Sequence, residues 1–244
     1  MTARKKRKTT AKTMAKTMAK TTAKTTAKTM AKTTAKGPAV RATVRRAAPR
    51  VVVALTGASG AIYGLRLLRF LLASGAHVDL VISPSGQRVL REESEYAGEP
   101  FAAFLGGLYG RAIARGSLTV HSWGDIGAAI ASGSVPTRGM IVAPCSMGTL
   151  SGIVTGRASN LIERAADVTL KEGRPLVLVP RETPLNLIHV DNMRRAIRAG
   201  IHLVPAMPAF YFGPRTIDDL ADFIVARAAG FLGFSGRLYR PWSE

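Results

Sequence analysis

Arg164, Lys171, Arg181 and Glu182 have the types and spacing that suit phosphate chemistry. Arg164 and Lys171 are seven residues apart, two turns of a helix expected over 160–171, so they share a face. Arg181 and Glu182 follow a strand expected over 175–179, where site residues of α/β sheets usually stand. Cations among hydroxyls and unpaired amides bind phosphate through charge-assisted hydrogen bonds. Glu182 is the carboxylate of interest. Beside a phosphate its proton affinity would rise and it could act as acid or base; otherwise it pairs with Arg181 or Lys171. Taken singly, each charge reads as a solvated face or a surface ion pair.

The elements that must hold these groups begin at Val51–Gly64, VVVALTGASGAIYG. Val51 to Leu55 is an apolar, β-branched run, the pattern of a strand buried on both faces. Thr56-Gly57-Ala58-Ser59-Gly60 is a turn of small residues, and a helix over 62–72 follows by its apolar spacing. A small-residue turn before a helix cradles anions, with the first helical amides free to point at the ligand. The match to the dinucleotide fingerprint is loose and implies nothing about NAD. A second turn of this kind, Pro144 to Ser151, closes a strand over 140–143.

Further strands are expected over 76–83, 118–123 and 201–204, with helices after 83, over 190–199 and over 217–232, and an apolar helical insertion over 101–115. Alternating strands and helices predict a Rossmann-like, doubly wound α/β sheet, mostly parallel. Ligands sit past the carboxyl ends of such strands, which gathers Ser59, Ser83, Ser132, Ser146 to Thr149, and Arg181-Glu182 along one edge. Tyr211 is a hydrogen-bond donor to a ligand or a core aromatic, and Trp242 a lid or a packing residue between subunits.

Charge divides the chain in two. The formal charge of +20 over 244 residues is concentrated in residues 1–50, which carry 16 Lys or Arg and no acid. The remainder holds 19 basic and 15 acidic groups. Residues 9–36 are seven tetrapeptides Thr-(Thr/Met)-Ala-Lys. Such a repeat reads as disordered in isolation, and either as a polyanion-binding arm giving weak nucleic-acid contact or as a solvating extension. The domain expectation is a basic tail and linker over 1–49 and a folded domain over 50–244. One cysteine, Cys145, forbids an internal disulfide and suits a reducing, cytoplasmic setting. It reads as a small buried hydrophobe. No apolar run reaches membrane-spanning length, and no Cys/His cluster has metal-ligand spacing.

The chain resembles the UbiX-type flavin prenyltransferases. The pieces that carry the resemblance are TGASGA-x-YG (56–64), ASGS (131–134), PCSMGTLS (144–151), NLIERAADVTLKEGRPLVLVPRE (160–182), Phe210-Tyr211 and Val225-Ala226-Arg227. The block over 160–182 is the specific one, and the basic tail has no counterpart. The resemblance implies a flavoprotein, commonly a dodecamer, that joins a dimethylallyl group from dimethylallyl monophosphate to N5 and then C6 of reduced FMN. No metal is implied, and the product serves a UbiD-type decarboxylase. Carried over by position, Gly57, Ala58, Ser59, Ser83, Ser146, Met147, Gly148, Thr149 and Arg181 hold FMN. Ser132, Arg164, Lys171, Arg181, Tyr211, Arg227 and Trp242 surround the prenyl phosphate. Ser59, Glu93, Lys171 and Glu182 take the catalytic roles. Pro84 stands where many members carry lysine, and Ala129 where a proline is common. The alternatives are an FMN-dependent decarboxylase of related fold and a polyanion-binding protein acting through the tail. The first lacks its histidine and its Asn-containing motif here.

Overall fold

The structure is a computed structural model that describes residues 48–236 and 238–242. The Lys-Ala-Thr repeat and nearly all of the linker lie outside the described residues.

Six strands form one sheet: β1 (Arg50–Leu55), β2 (His77–Ile82), β3 (Ser117–His121), β4 (Met140–Cys145), β5 (Leu176–Pro180) and β6 (His202–Leu203). All pairs are parallel, in the order β3-β2-β1-β4-β5-β6, so the winding reverses between β1 and β4. Among the described residues seven α-helices accompany them: α1 (Ala61–Ala73), α2 (Pro84–Glu93), α3 (Phe101–Tyr109), α4 (Met147–Val154), α5 (Leu161–Lys171), α6 (Leu187–Arg198) and α7 (Ile217–Gly230).

Side-chain alternation assigns the two faces. Val51, Val53 and Leu55 join Leu80, Ile141 and Val177 under α1 and α7. Val52 and Ala54 join Val81, Val142 and Leu178 under α4 and α5. Strands β1, β4 and β5 are buried on both faces, which is why they read as unbroken apolar runs.

The elements match the expected ones, with shifts that have local causes. The insertion over 101–115 is not one helix: Gly110 at φ +50° ends α3, and a short 3-10 turn follows. Helix α6 starts three residues before the expected Val190, because the Asn186 side chain accepts the His189 amide at 2.9 Å and His189 answers with its ring. Strand β4 runs on through Pro144 and Cys145, past a register shift.

One charge lies inside the sheet. Asp79 on β2 has no exposed surface. The Arg50 guanidinium donates to both its oxygens at 2.6 and 2.9 Å, and His121 Nε2 sits 2.8 Å from Oδ1. Burial works against the carboxylate, but these partners outweigh it and hold its pKa below the ordinary value. A depressed folded pKa contributes stability above the unfolded value of about 3.9, lost as pH falls through the folded one. Asp79→Asn is therefore expected to destabilise the protein by about 3 kcal/mol at neutral pH, the scale of stripping one partner from a buried pair. In denaturant titrations this deficit should shrink as pH falls below about 4. A deficit that does not vary with pH would contradict the ionised network.

Candidate active site at the carboxyl edge

Two turns meet where the winding reverses, and Thr56 ties them together. Its buried hydroxyl donates to the Pro144 carbonyl at 2.9 Å and accepts the Ser146 amide at 2.8 Å. Gly57 is needed for close packing, since a Cβ there would lie 2.4 Å from that of Ser85 in α2. Gly60 takes a left-handed φ of +109° at the start of α1.

The first amides of α1 are not free, contrary to the expectation from the glycine turn. Glu93, at the end of α2, places Oε2 at 2.7 Å from the Gly60 amide and 2.8 Å from that of Ala61. Burial raises the Glu93 pKa, but hydrogen bonds from the Ser59 hydroxyl and both amides, with the Arg181 charge, bring it below the usual range. A carboxylate thus already fills the anion seat of α1.

The N-termini of α2 and α4 stay open to the edge. Ser83 caps α2 by accepting the Gly86 amide at 3.0 Å. Ser146 caps α4, accepting the Thr149 amide at 3.3 Å and donating to the Thr149 hydroxyl at 3.0 Å. A helix start offers no internal acceptor for the amides of Met147 and Gly148. A side chain at Gly148 would meet open space, which leaves room for a ligand against the backbone. Arg181 reaches over from β5 and donates through Nε to the Ser59 carbonyl at 2.9 Å. Ala58 is buried beneath the turn, and Glu182 accepts the Thr183 amide at 3.0 Å.

A second group gathers outside α7. Tyr211 meets Trp242 edge-on at 5.0 Å, and Phe212, Phe223 and Tyr239 complete an aromatic cluster. Burial, then the charge and a hydrogen bond of Tyr239, raise the Tyr211 pKa, and the Arg227 charge opposes them. Tyr211, Arg227 and Trp242 therefore come together as the sequence expected, and Tyr239 joins them unforeseen.

Ser132 and Lys171 do not join the carboxyl edge of their own chain. Lys171 ends α5, on the approach to β5, whereas Arg181 follows β5 at its far end. Ser132 precedes β4, and the Gly133 and Val135 carbonyls accept from Arg174 at 2.8 and 2.7 Å. The sequence reading placed Ser132 at the wrong edge because it is a loop before a strand, not after one. Arg164 stands at the other end of α5 from Lys171, paired with Asp167 at 2.9 Å. Cys145 is fully buried, which pushes its thiol up and away from thiolate chemistry. Among the described residues no group of His, Cys, Asp or Glu could hold a metal ion.

Residues 40–229 match the model of the Flavoprotein family. The flavin prenyltransferase UbiX of Halalkalibacterium halodurans is 48% identical over 79% of this chain and 92% of its own. That of Pseudomonas aeruginosa is 46% identical over 80% and 94%. A crystal structure of AnUbiX (PadA1) with FMN and dimethylallyl pyrophosphate superposes with a TM-score of 0.73 at 38% identity, covering 81% of this chain and 98% of that one. A dodecameric FMN-dependent UbiX-like decarboxylase from Escherichia coli O157:H7 gives 0.71 at 41%, covering 80% and 100%.

The chain belongs to the flavin prenyltransferase family. In this prenyltransferase the sequence reading overlooked Thr56, whose only outward sign is a hydroxyl after an apolar strand. Thr56→Val keeps its volume and strands a buried amide and carbonyl, so a loss of about 1–3 kcal/mol is expected by denaturant titration. Unchanged stability would show that the two turns hold each other without it.

Proposed function

We propose that the chain transfers a dimethylallyl group from dimethylallyl monophosphate to N5 and C6 of reduced FMN, giving the prenylated flavin used by UbiD-type decarboxylases. The observation that carries this reading is the tie between Arg181 and Ser59 above two open helix starts. Glycine turns, capped helix starts and a cation suit a flavin mononucleotide: a ring against Gly57, Ala58 and Ser59, and a phosphate at Ser83 and Ser146 to Thr149. Bound there, FMN supplies the nucleophilic ring.

The chain's own groups handle the leaving phosphate. Arg181 and Arg227 stabilise the charge that develops as the carbon–oxygen bond breaks. Glu182 delivers a proton to the departing oxygen. Glu93 fixes the Ser59 hydroxyl, so that a proton can pass at the ring. Tyr211 and Trp242 exclude water from an allylic cation. Lys171 and Ser132 enter from a neighbouring copy, since both are set apart from Arg181 within one chain, and Arg164 adds a further cation to the prenyl-phosphate pocket. Leu187, Ile188 and Phe210, each at least 69% exposed, offer apolar surface for that contact. A homododecamer is the assembly we infer. Among the described residues no helix is long and apolar enough to cross a membrane, and we place the enzyme in the cytoplasm. The basic, acid-free segment over 1–49 suits weak nucleic-acid contact, outside catalysis.

Pure protein mixed anaerobically with reduced FMN and dimethylallyl monophosphate should yield a flavin heavier by one five-carbon unit in mass spectrometry. Dimethylallyl diphosphate in a parallel reaction decides the donor. Lys171→Ala and Glu182→Gln should bind FMN normally but turn over about 100-fold or more slower, the scale of losing one positioned acid or charge. Normal single-turnover rates in both would overturn these roles. Deleting residues 1–49 should leave the rate intact; its loss would favour the polyanion-binding reading.

A further inference from the structure

A cavity apart from the two turns opens at the carboxyl ends of β2 and β3. It encloses about 590 Å³, within the usual range for a small-molecule site. Tyr96, Phe101 and Trp123 line it with Gln87, Glu99 and His121. Tyr96 and Phe101 pack edge to face at 5.5 Å and 72°, so this aromatic wall is fixed.

The lining holds no Lys or Arg, and its acceptors include the Glu99 carboxylate and the His121 ring. His121 Nε2 points 2.8 Å to buried Asp79, which is locked in turn by Arg50. In a neutral imidazole, an Nε2–H that faces a carboxylate leaves Nδ1 as the acceptor. Glu99 adds a carboxylate, held in place through Oε2 by the Ala97 amide at 2.9 Å.

We propose that this cavity is a binding site for a small aromatic molecule carrying a hydroxyl or amino donor, stacked among Tyr96, Phe101 and Trp123 and held by His121. A carboxylate would meet Glu99 and find no cation among these lining groups, so aromatic acids are rejected. Its lining contains none of the residues assigned to FMN or to the prenyl phosphate, although Ile82 and Pro84 flank Ser83, and its occupancy does not depend on the proposed transfer reaction.

The test is saturation-transfer NMR and calorimetry on the full-length protein with 4-methylphenol, benzoate as control, and FMN present and absent. Saturable binding of 4-methylphenol is expected, undisturbed by FMN, with benzoate binding at least about tenfold weaker. Removing one aromatic wall or the acceptor should weaken 4-methylphenol about tenfold, so Trp123→Ala and His121→Phe are each expected to show that loss. Trp123→Ala leaves the Asp79 network untouched and keeps the test valid if His121→Phe does not fold. Absence of saturable binding, displacement by FMN, benzoate binding as tightly, or unchanged affinity in a folded variant would each overturn the proposal.

Discussion

The structure depends on one hydroxyl that joins two loops far apart in sequence. In a parallel sheet whose winding reverses between β1 and β4, the connections leave in opposite directions and open a crevice. The Thr56 hydroxyl closes its floor, as donor to Pro144 and acceptor from Ser146. It fixes the start of α4 relative to the glycine turn. Arg181 then spans from β5 to Ser59 above that floor. Cation, turn and helix start become one surface.

Competition for helix-start amides decides where an anion can rest. Helices α1, α2 and α4 each begin at a small-residue turn along this edge, and a fold-level argument would make any of them a phosphate seat. Glu93 takes the amides of Gly60 and Ala61 for itself and stays ionised while doing so. An incoming phosphate at α1 would meet that carboxylate. The starts of α2 and α4 are capped by neutral serines instead. This division leaves the starts of α2 and α4, unlike that of α1, without a competing carboxylate.

Much of this was legible in the chain. The sheet could be read because its buried strands are unbroken apolar runs, and the edge because small residues follow β1, β2 and β4. Tyr211 meets Trp242, and the Arg227 charge acts on Tyr211. What escaped was long-range. Nothing local marks Glu93 as the partner of Gly60 and Ala61, since the pair forms only when α2 packs beside the first turn. The helix expected over 190–199 left out Asn186, whose capping box with His189 sets the start of α6. Ser132 was assigned to the wrong edge because small hydroxyl residues look alike on either side of a strand. Sharing a helical face placed Lys171 with Arg164 in angle but said nothing of position along the axis, and Lys171 ends its helix on the approach to β5, away from Arg181 at the far end of that strand.

That separation makes the central claim testable: a working site draws Lys171 from one copy and Arg181 with Glu182 from another. The direct measurement mixes two inactive proteins, Lys171→Ala and Glu182→Gln, under conditions that exchange subunits, and follows formation of the prenylated flavin. The account predicts that the mixed assembly regains activity neither protein has alone, because some of its sites carry both intact residues. Exchange without any recovered activity would contradict it, because the two residues would then have to act within a single chain.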